Sequence, residues 1–147
     1  MGQLVYYFWS YFKVEKNLKR ISYVVPTGNF GNVYAGFICK KMGLPINKLV
    51  VSSNKNDILT RFFETGAMRL KETIKTISPS MDIQVSSNFE RLIYDYTKNT
   101  ALIKKLYNEL GEKGFFSIDN RLLDLIKDSF SYGRLSDEQT LISIKKI

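Results

Sequence analysis

The strongest apolar stretch comes first: Leu4 to Phe12 reads L-V-Y-Y-F-W-S-Y-F. A helix over residues 3–15 would carry an apolar surface too broad for a solvent-facing element, which predicts burial. Ile21-Ser22-Tyr23-Val24-Val25 reads as a strand stopped by Pro26, and a loop, Thr27-Gly28-Asn29-Phe30-Gly31, follows. Asn32 to Met42 reads as a helix with Gly43 just past its end and Pro45 beyond. Leu49-Val50-Val51 predicts a short buried strand; Asn56 or Asp57 caps a helix from Ile58 to Thr65, closed at Gly66. Strand, helix, strand, helix is the signature of an α/β class with an open parallel sheet.

The second half predicts mostly helix. Ser87-Asn88-Phe89-Glu90 fits a capping box ahead of Arg91 to Lys98. Ala101 to Leu110 predicts a helix closed by Gly111, then an extended Phe115–Ile118, then Arg121 to Phe130 capped by Asp119. Ser136-Asp137-Glu138-Gln139 is a second capping box, opening a helix expected to run into the last residue. The apolar set Phe62, Phe63, Leu92, Ile93 and Tyr94 reads as core. There is no internal repeat and no low-complexity linker.

Composition narrows the chemistry. With 44% apolar and 24% charged residues the 147-residue chain has the ordinary globular mix. Its one cysteine, Cys39, excludes an intrachain disulfide and a cysteine-based zinc site, and the absence of histidine excludes Ser-His-Asp and Cys-His catalysis and His-ligated metals. The net charge of +8 raises nucleic acid or an acidic partner as an alternative. The excess sits in residues 1–50, with seven Lys/Arg against one acid, and those bases are scattered, so a solvated basic face accounts for it and nucleic-acid binding is not expected. The 4–12 stretch is too short to span a bilayer, and no export signal precedes it. With the free thiol this predicts a cytoplasmic protein without a membrane partner.

The candidate chemistry lies in Pro26-Thr27-Gly28-Asn29-Phe30-Gly31-Asn32, between a strand and a helix. Gly28 and Gly31 let the backbone take positive φ and approach a ligand, and the following helix aims free amides and its positive dipole end at the loop. Thr27 and Asn29 add side-chain donors. The loop lacks the Lys-Ser/Thr of a Walker A motif and the spacing of G-x-G-x-x-G. From the residues alone, a phosphate site and a tight turn whose glycines serve only packing both stay open. Ser78-Pro79-Ser80-Met81-Asp82-Ile83 reads as a Pro turn, with a substrate-pocket wall as the other reading.

Longer runs carry a resemblance. Val25 to Asn32, Ala35-Gly36, Lys40 to Ile46, Asn54 to Leu59, Arg61-Phe62-Phe63, Ser78 to Ile83 and Ser86 to Leu92 together resemble the threonine synthase family, nearly end to end and in order. The resemblance implies a tryptophan-synthase-β-like (fold-type-II) pyridoxal 5′-phosphate (PLP) fold, and conversion of O-phosphohomoserine and water to threonine and phosphate, a lyase reaction. It implies that Gly28, Asn29, Phe30, Gly31 and Asn32 hold the phosphate of PLP. The family's cofactor lysine lies upstream of this loop in a Phe-Lys-Asp motif, and its Pro-His-Thr segment lies downstream; neither is in these 147 residues. The expectation is therefore a single incomplete α/β segment, the middle third of such an enzyme, with no catalytic residue of its own and inactive alone. It would be either one part of a split enzyme or a remnant without activity.

Overall fold

The computed structural model describes residues 2–14, 17 and 19–146. It opens with helix α1 (Leu4–Val14), strand β1 (Ile21–Pro26), helix α2 (Gly31–Lys41), strand β2 (Ile46–Ser53) and helix α3 (Ile58–Thr65). Strand β3 (Ala67–Arg69) and a 3-10 turn (Pro79–Met81) lead to helices α4 (Phe89–Thr97) and α5 (Thr100–Lys113). Strand β4 (Phe115–Ser117), helix α6 (Asn120–Ser129), strand β5 (Phe130–Arg134) and helix α7 (Asp137–Ile144) complete it.

The main sheet has the order β1-β2-β5. Both pairings are parallel, Val24 opposite Val50 and Val51 opposite Tyr132. Pro26 ends β1 from within the ladder, opposite Ser52. It is tolerated because β1 lies at the sheet edge, where a missing donor breaks no second pairing. β3 and β4 form a separate antiparallel pair.

Aromatic rings fill the space between the sheet and α2, α3 and α4. Phe30 and Phe89 meet edge to face at 5.0 Å, Phe62 and Phe89 at 4.7 Å, and Phe30 and Phe130 lie 5.9 Å apart. Such contacts add to area burial because each ring edge faces a negative ring face. Of the expected core set Phe62, Phe63, Leu92 and Ile93 are fully buried, whereas Tyr94 is exposed on the outer side of α4.

Five further expectations are corrected. Helix α1 is half-buried: Tyr7 and Tyr11 face inward, while Val5, Tyr6, Trp9, Phe12 and Val14 stay exposed; residue 15 lies outside the described residues. Its inner face is fixed by polar handles, Tyr7 Oη donating to the Asn32 carbonyl at 2.9 Å and Tyr23 Oη to the Tyr7 carbonyl at 3.0 Å. Second, α5 runs through Gly111 to a left-handed cap at Gly114 (φ 73°). Gly111 is only a tolerated weak point, since Asn99 caps the start and the apolar stripe continues to Leu110. Third, the expected box at Ser87 is not formed; Asn88 is the N-cap of α4 and makes no side-chain cap bond. Fourth, α6 stops at Ser129 because Phe130 is the first residue of β5, a strand the periodicity did not reveal. Fifth, α7 ends at Ile144 rather than running on; its capping box at Ser136 and Gln139 is present, as is the Asp119 cap of α6. No helix among the described residues is long and apolar enough to cross a membrane.

Candidate functional site

The loop from Thr27 to Phe30 joins the end of β1 to the start of α2. The ladder first continues one step past the strand, Thr27 N donating to the Ser52 carbonyl at 2.9 Å. The Thr27 hydroxyl then turns back onto the Val25 carbonyl. Thr27 is thus spent on shaping the turn, where the sequence offered it as a ligand donor.

The left-handed residue of the loop is Phe30 (φ 61°), not a glycine. For an L-residue that conformation costs about 1–2 kcal/mol. The offset is visible in the packing: the ring is 1% exposed and sits against Phe89 and Phe130. Burying a Phe side chain contributes about 1.5–3 kcal/mol, enough to hold the strained turn. Gly28 and Gly31, expected to supply positive φ, are needed instead for close approach. A Cβ on Gly28 would lie 2.8 Å from the Ser80 carbonyl oxygen and 2.9 Å from Ile83 Cδ1. On Gly31 it would lie 3.3 Å from Asn88 Nδ2, in space the helix start otherwise leaves open.

Tyr34 N, donating to the Phe30 carbonyl at 2.9 Å, is the first amide the helix takes up. Phe30 provides no side-chain cap. The amides of Gly31, Asn32 and Val33 are therefore open to an outside acceptor, at the positive end of α2. A pocket of ≈ 520 Å³ lies here, and all five expected residues, Gly28, Asn29, Phe30, Gly31 and Asn32, line it. Arg91 of α4 adds a cation to the same wall, together with Ser80, Asn88 and Gln3. Bare amides, a helix N-terminus, one guanidinium and glycines that keep the space clear fit a phosphate monoester dianion. Among the described residues no group of His, Cys, Asp or Glu is placed to hold a metal.

Two neighbouring segments brace the loop. From the residues before α4, Ser86 Oγ donates to the Gly28 carbonyl at 3.0 Å. Asn88 donates twice to the Asn29 carbonyl, from its backbone N at 3.2 Å and from Nδ2 at 3.0 Å. The Pro79–Met81 turn presses on Gly28 from another side and is organised around Asp82. That carboxylate accepts from the Thr76 hydroxyl at 2.6 Å, the Thr76 amide at 3.0 Å, Asn54 Nδ2 at 2.8 Å and Asn56 Nδ2 at 2.9 Å. The Thr76 hydrogen bond foremost holds Asp82 below the usual carboxylate range. The turn reading of Ser78–Ile83 is thus met, with Ser80 alone of that run reaching the pocket wall.

Parallel strands with a pocket at a strand-to-helix loop make this an α/β segment, and its likeness is to PLP-dependent enzymes. It superposes on a PLP-bound threonine synthase of Brucella melitensis with a TM-score of 0.95 at 41% identity, covering 99% of this chain and 32% of that one. On the yeast threonine synthase structure the TM-score is 0.93 at 38% identity, with 99% and 31% covered. In sequence the chain is 39% identical to the threonine synthase of Saccharomyces cerevisiae over 100% of its own length and 31% of that protein, and 38% identical to that of Pseudomonas aeruginosa over 100% and 32%. No family profile matches the chain. Over its whole length the chain is thus similar to one segment of these threonine synthases, and it spans about a third of the length of the curated relatives it matches.

Proposed function

We propose that Gly28, Asn29, Phe30, Gly31 and Asn32 hold the phosphate of pyridoxal 5′-phosphate in a threonine synthase site whose cofactor-bearing lysine lies outside these residues. The observation that carries this reading is the uncapped start of α2, whose first residues Gly31 and Asn32 line the same pocket as the whole loop and whose first amides have no intrahelical acceptor. Arg91 offsets the second negative charge of the phosphate from the pocket wall. When bound, the cofactor supplies an electron sink for carbanion chemistry at an amino-acid substrate, here O-phosphohomoserine, with threonine and phosphate as products. The contribution of these residues is to bind one end of the cofactor, orient it and keep the phosphate in a fixed, partly desolvated cradle. Lys40 and Lys41 lie at the far end of α2, carried away from the loop by about 1.5 Å per residue, and neither serves as the covalent anchor. No catalytic role is assigned to any of these residues, and the basic-module alternative has no support in the relatives.

The test compares PLP with pyridoxal, which lacks the phosphate, on the 147-residue polypeptide. PLP binds and inorganic phosphate competes with it, while pyridoxal binds at least about tenfold more weakly, the loss of charge-assisted hydrogen bonds. Borohydride leaves no lysine adduct, and O-phosphohomoserine yields no threonine. Equal affinity for the two ligands overturns the phosphate assignment. A stoichiometric adduct on one lysine, with turnover, overturns the placing of the catalytic lysine elsewhere.

A further inference from the structure

The start of α4 spends its polar groups in an unusual way. Asn88 occupies the N-cap position, where an Asn side chain ordinarily accepts from the amides of its own helix. Here it makes no such bond, and its Nδ2 reaches across to the Asn29 carbonyl. Ser86, buried two residues earlier, spends its hydroxyl on the Gly28 carbonyl. Neither bond caps α4, and both land on successive carbonyls of one loop.

Peptide geometry gives those two bonds a consequence. All the peptide bonds described are trans, so each carbonyl and the N–H that follows it point in opposite directions. Tying the Gly28 oxygen to Ser86 turns the Asn29 N–H away from Ser86, and tying the Asn29 oxygen to Asn88 turns the Phe30 N–H away from α4. No acceptor among the described residues meets either amide. Without these anchors the two peptide planes could rotate and present carbonyl oxygens, which repel phosphate, in place of amides. Phe30 at φ 61° fixes the side-chain end of the same turn, so the loop is held by a ring in the core and two donors on its flank.

We infer that Ser86 and Asn88 are positioning residues for the anion cradle: by holding the Gly28 and Asn29 carbonyls they set the direction of the Asn29 and Phe30 amides. This rests on the phosphate reading given above. It adds residues outside the loop that act through backbone carbonyls, Ser86 from outside the pocket and Asn88 from its wall.

Asn88→Asp separates this role from a structural one. Aspartate is as good an N-cap as asparagine and adds a favourable charge at the helix N-terminus, so α4 keeps its stability. It has no donor for the Asn29 carbonyl and repels it. Ser86→Ala removes the second donor, and Ser86→Thr restores a hydroxyl. Two readouts are taken on each variant of the full chain: the amide 1H and 15N shifts of Asn29 and Phe30 without ligand, and the dissociation constants of PLP and of inorganic phosphate. N88D and S86A are expected to move those two amides while leaving the α5 and β2 amides in place. Each is expected to weaken PLP and phosphate about tenfold and to lower the thermal midpoint modestly through the lost hydrogen bond. Because a carboxylate at position 88 also repels the anion from the pocket wall, S86A and its recovery in S86T decide the link to the anion. Unmoved amides in N88D and S86A overturn the inference whether or not PLP binds. Moved amides with wild-type affinity overturn the link to the anion. If the wild-type chain binds neither PLP nor phosphate, the phosphate reading falls and the positioning claim with it, which the ligand-free shifts distinguish from failure of the carbonyl anchors themselves.

Discussion

Phe30 carries two opposing contributions, and two substitutions at the same position separate them. Its ring is 1% exposed and in edge-to-face contact with Phe89 at 5.0 Å, so Phe30→Ala removes a core aromatic and leaves a cavity. Such a change costs about 3–5 kcal/mol. Alanine still has to sit at φ 61°, so the left-handed cost of about 1–2 kcal/mol stays in the folded state. Phe30→Gly loses the same ring but removes that strain. Glycine loses more chain entropy on folding, about 0.5–1 kcal/mol relative to alanine, which offsets part of the gain. The balance leaves F30G more stable than F30A by roughly 0.5–1 kcal/mol, the reverse of the order within a helix. Urea unfolding followed by far-UV circular dichroism, with slopes compared for constancy, measures both. Against a total stability of about 5–15 kcal/mol both variants remain foldable or nearly so. F30G falling below F30A, or F30A costing under about 1 kcal/mol, would refute the picture of a strained turn held by its ring.

Gly28→Ala drives a Cβ to 2.8 Å from the Ser80 carbonyl, so it destabilises by about 1–3 kcal/mol and weakens PLP; Gly111→Ala, with open space around it inside α5, stabilises by about 0.5–1 kcal/mol, both read by denaturant midpoints. Asp57 tests the acid limb of stability. Burial opposes its ionisation, but Arg61 and Arg134 hold its carboxyl below the usual carboxylate range. A depressed folded value stabilises above the unfolded pKa near ~3.9 and is lost as pH falls through the folded one. Thermal midpoints of Asp57→Asn should therefore lie below wild type at neutral pH and converge on it toward pH ~2; parallel curves would contradict the ion pairs. The exposed Tyr6, Trp9 and Phe12 of α1 form an apolar face that predicts self-association of the purified polypeptide, and changing all three to serine should restore a monomer by light scattering.

The first α/β half was legible because each element carries its own punctuation: Pro26 at the end of β1, Gly43 after α2, Gly66 after α3. Strand β5 was hidden because Phe130 continues the apolar spacing of α6 without a turn residue between them, and its identity as a strand comes only from pairing with β2 some eighty residues earlier in the chain. The loop could be found by its glycines, but their task was misjudged: the positive φ fell to Phe30, because a ring can be anchored in the core and a glycine cannot. The capping box expected at Ser87 to Glu90 failed for a related reason. A Ser-Asn-Phe-Glu run before an apolar helix looks like a cap, and nothing local tells an asparagine that caps its own helix from one that reaches a loop fifty-nine positions away. The segment's recurrence inside the family resemblance was the one available signal.

The central claim is that the phosphate of PLP sits on this loop, and the direct measurement is a crystal structure of the chain with PLP. The account predicts phosphate density within hydrogen-bond reach of the Gly31, Asn32 and Val33 amides, in front of α2. Phosphate density instead among Arg61, Arg69 and Arg134, which line a separate open pocket beside α3, would contradict it.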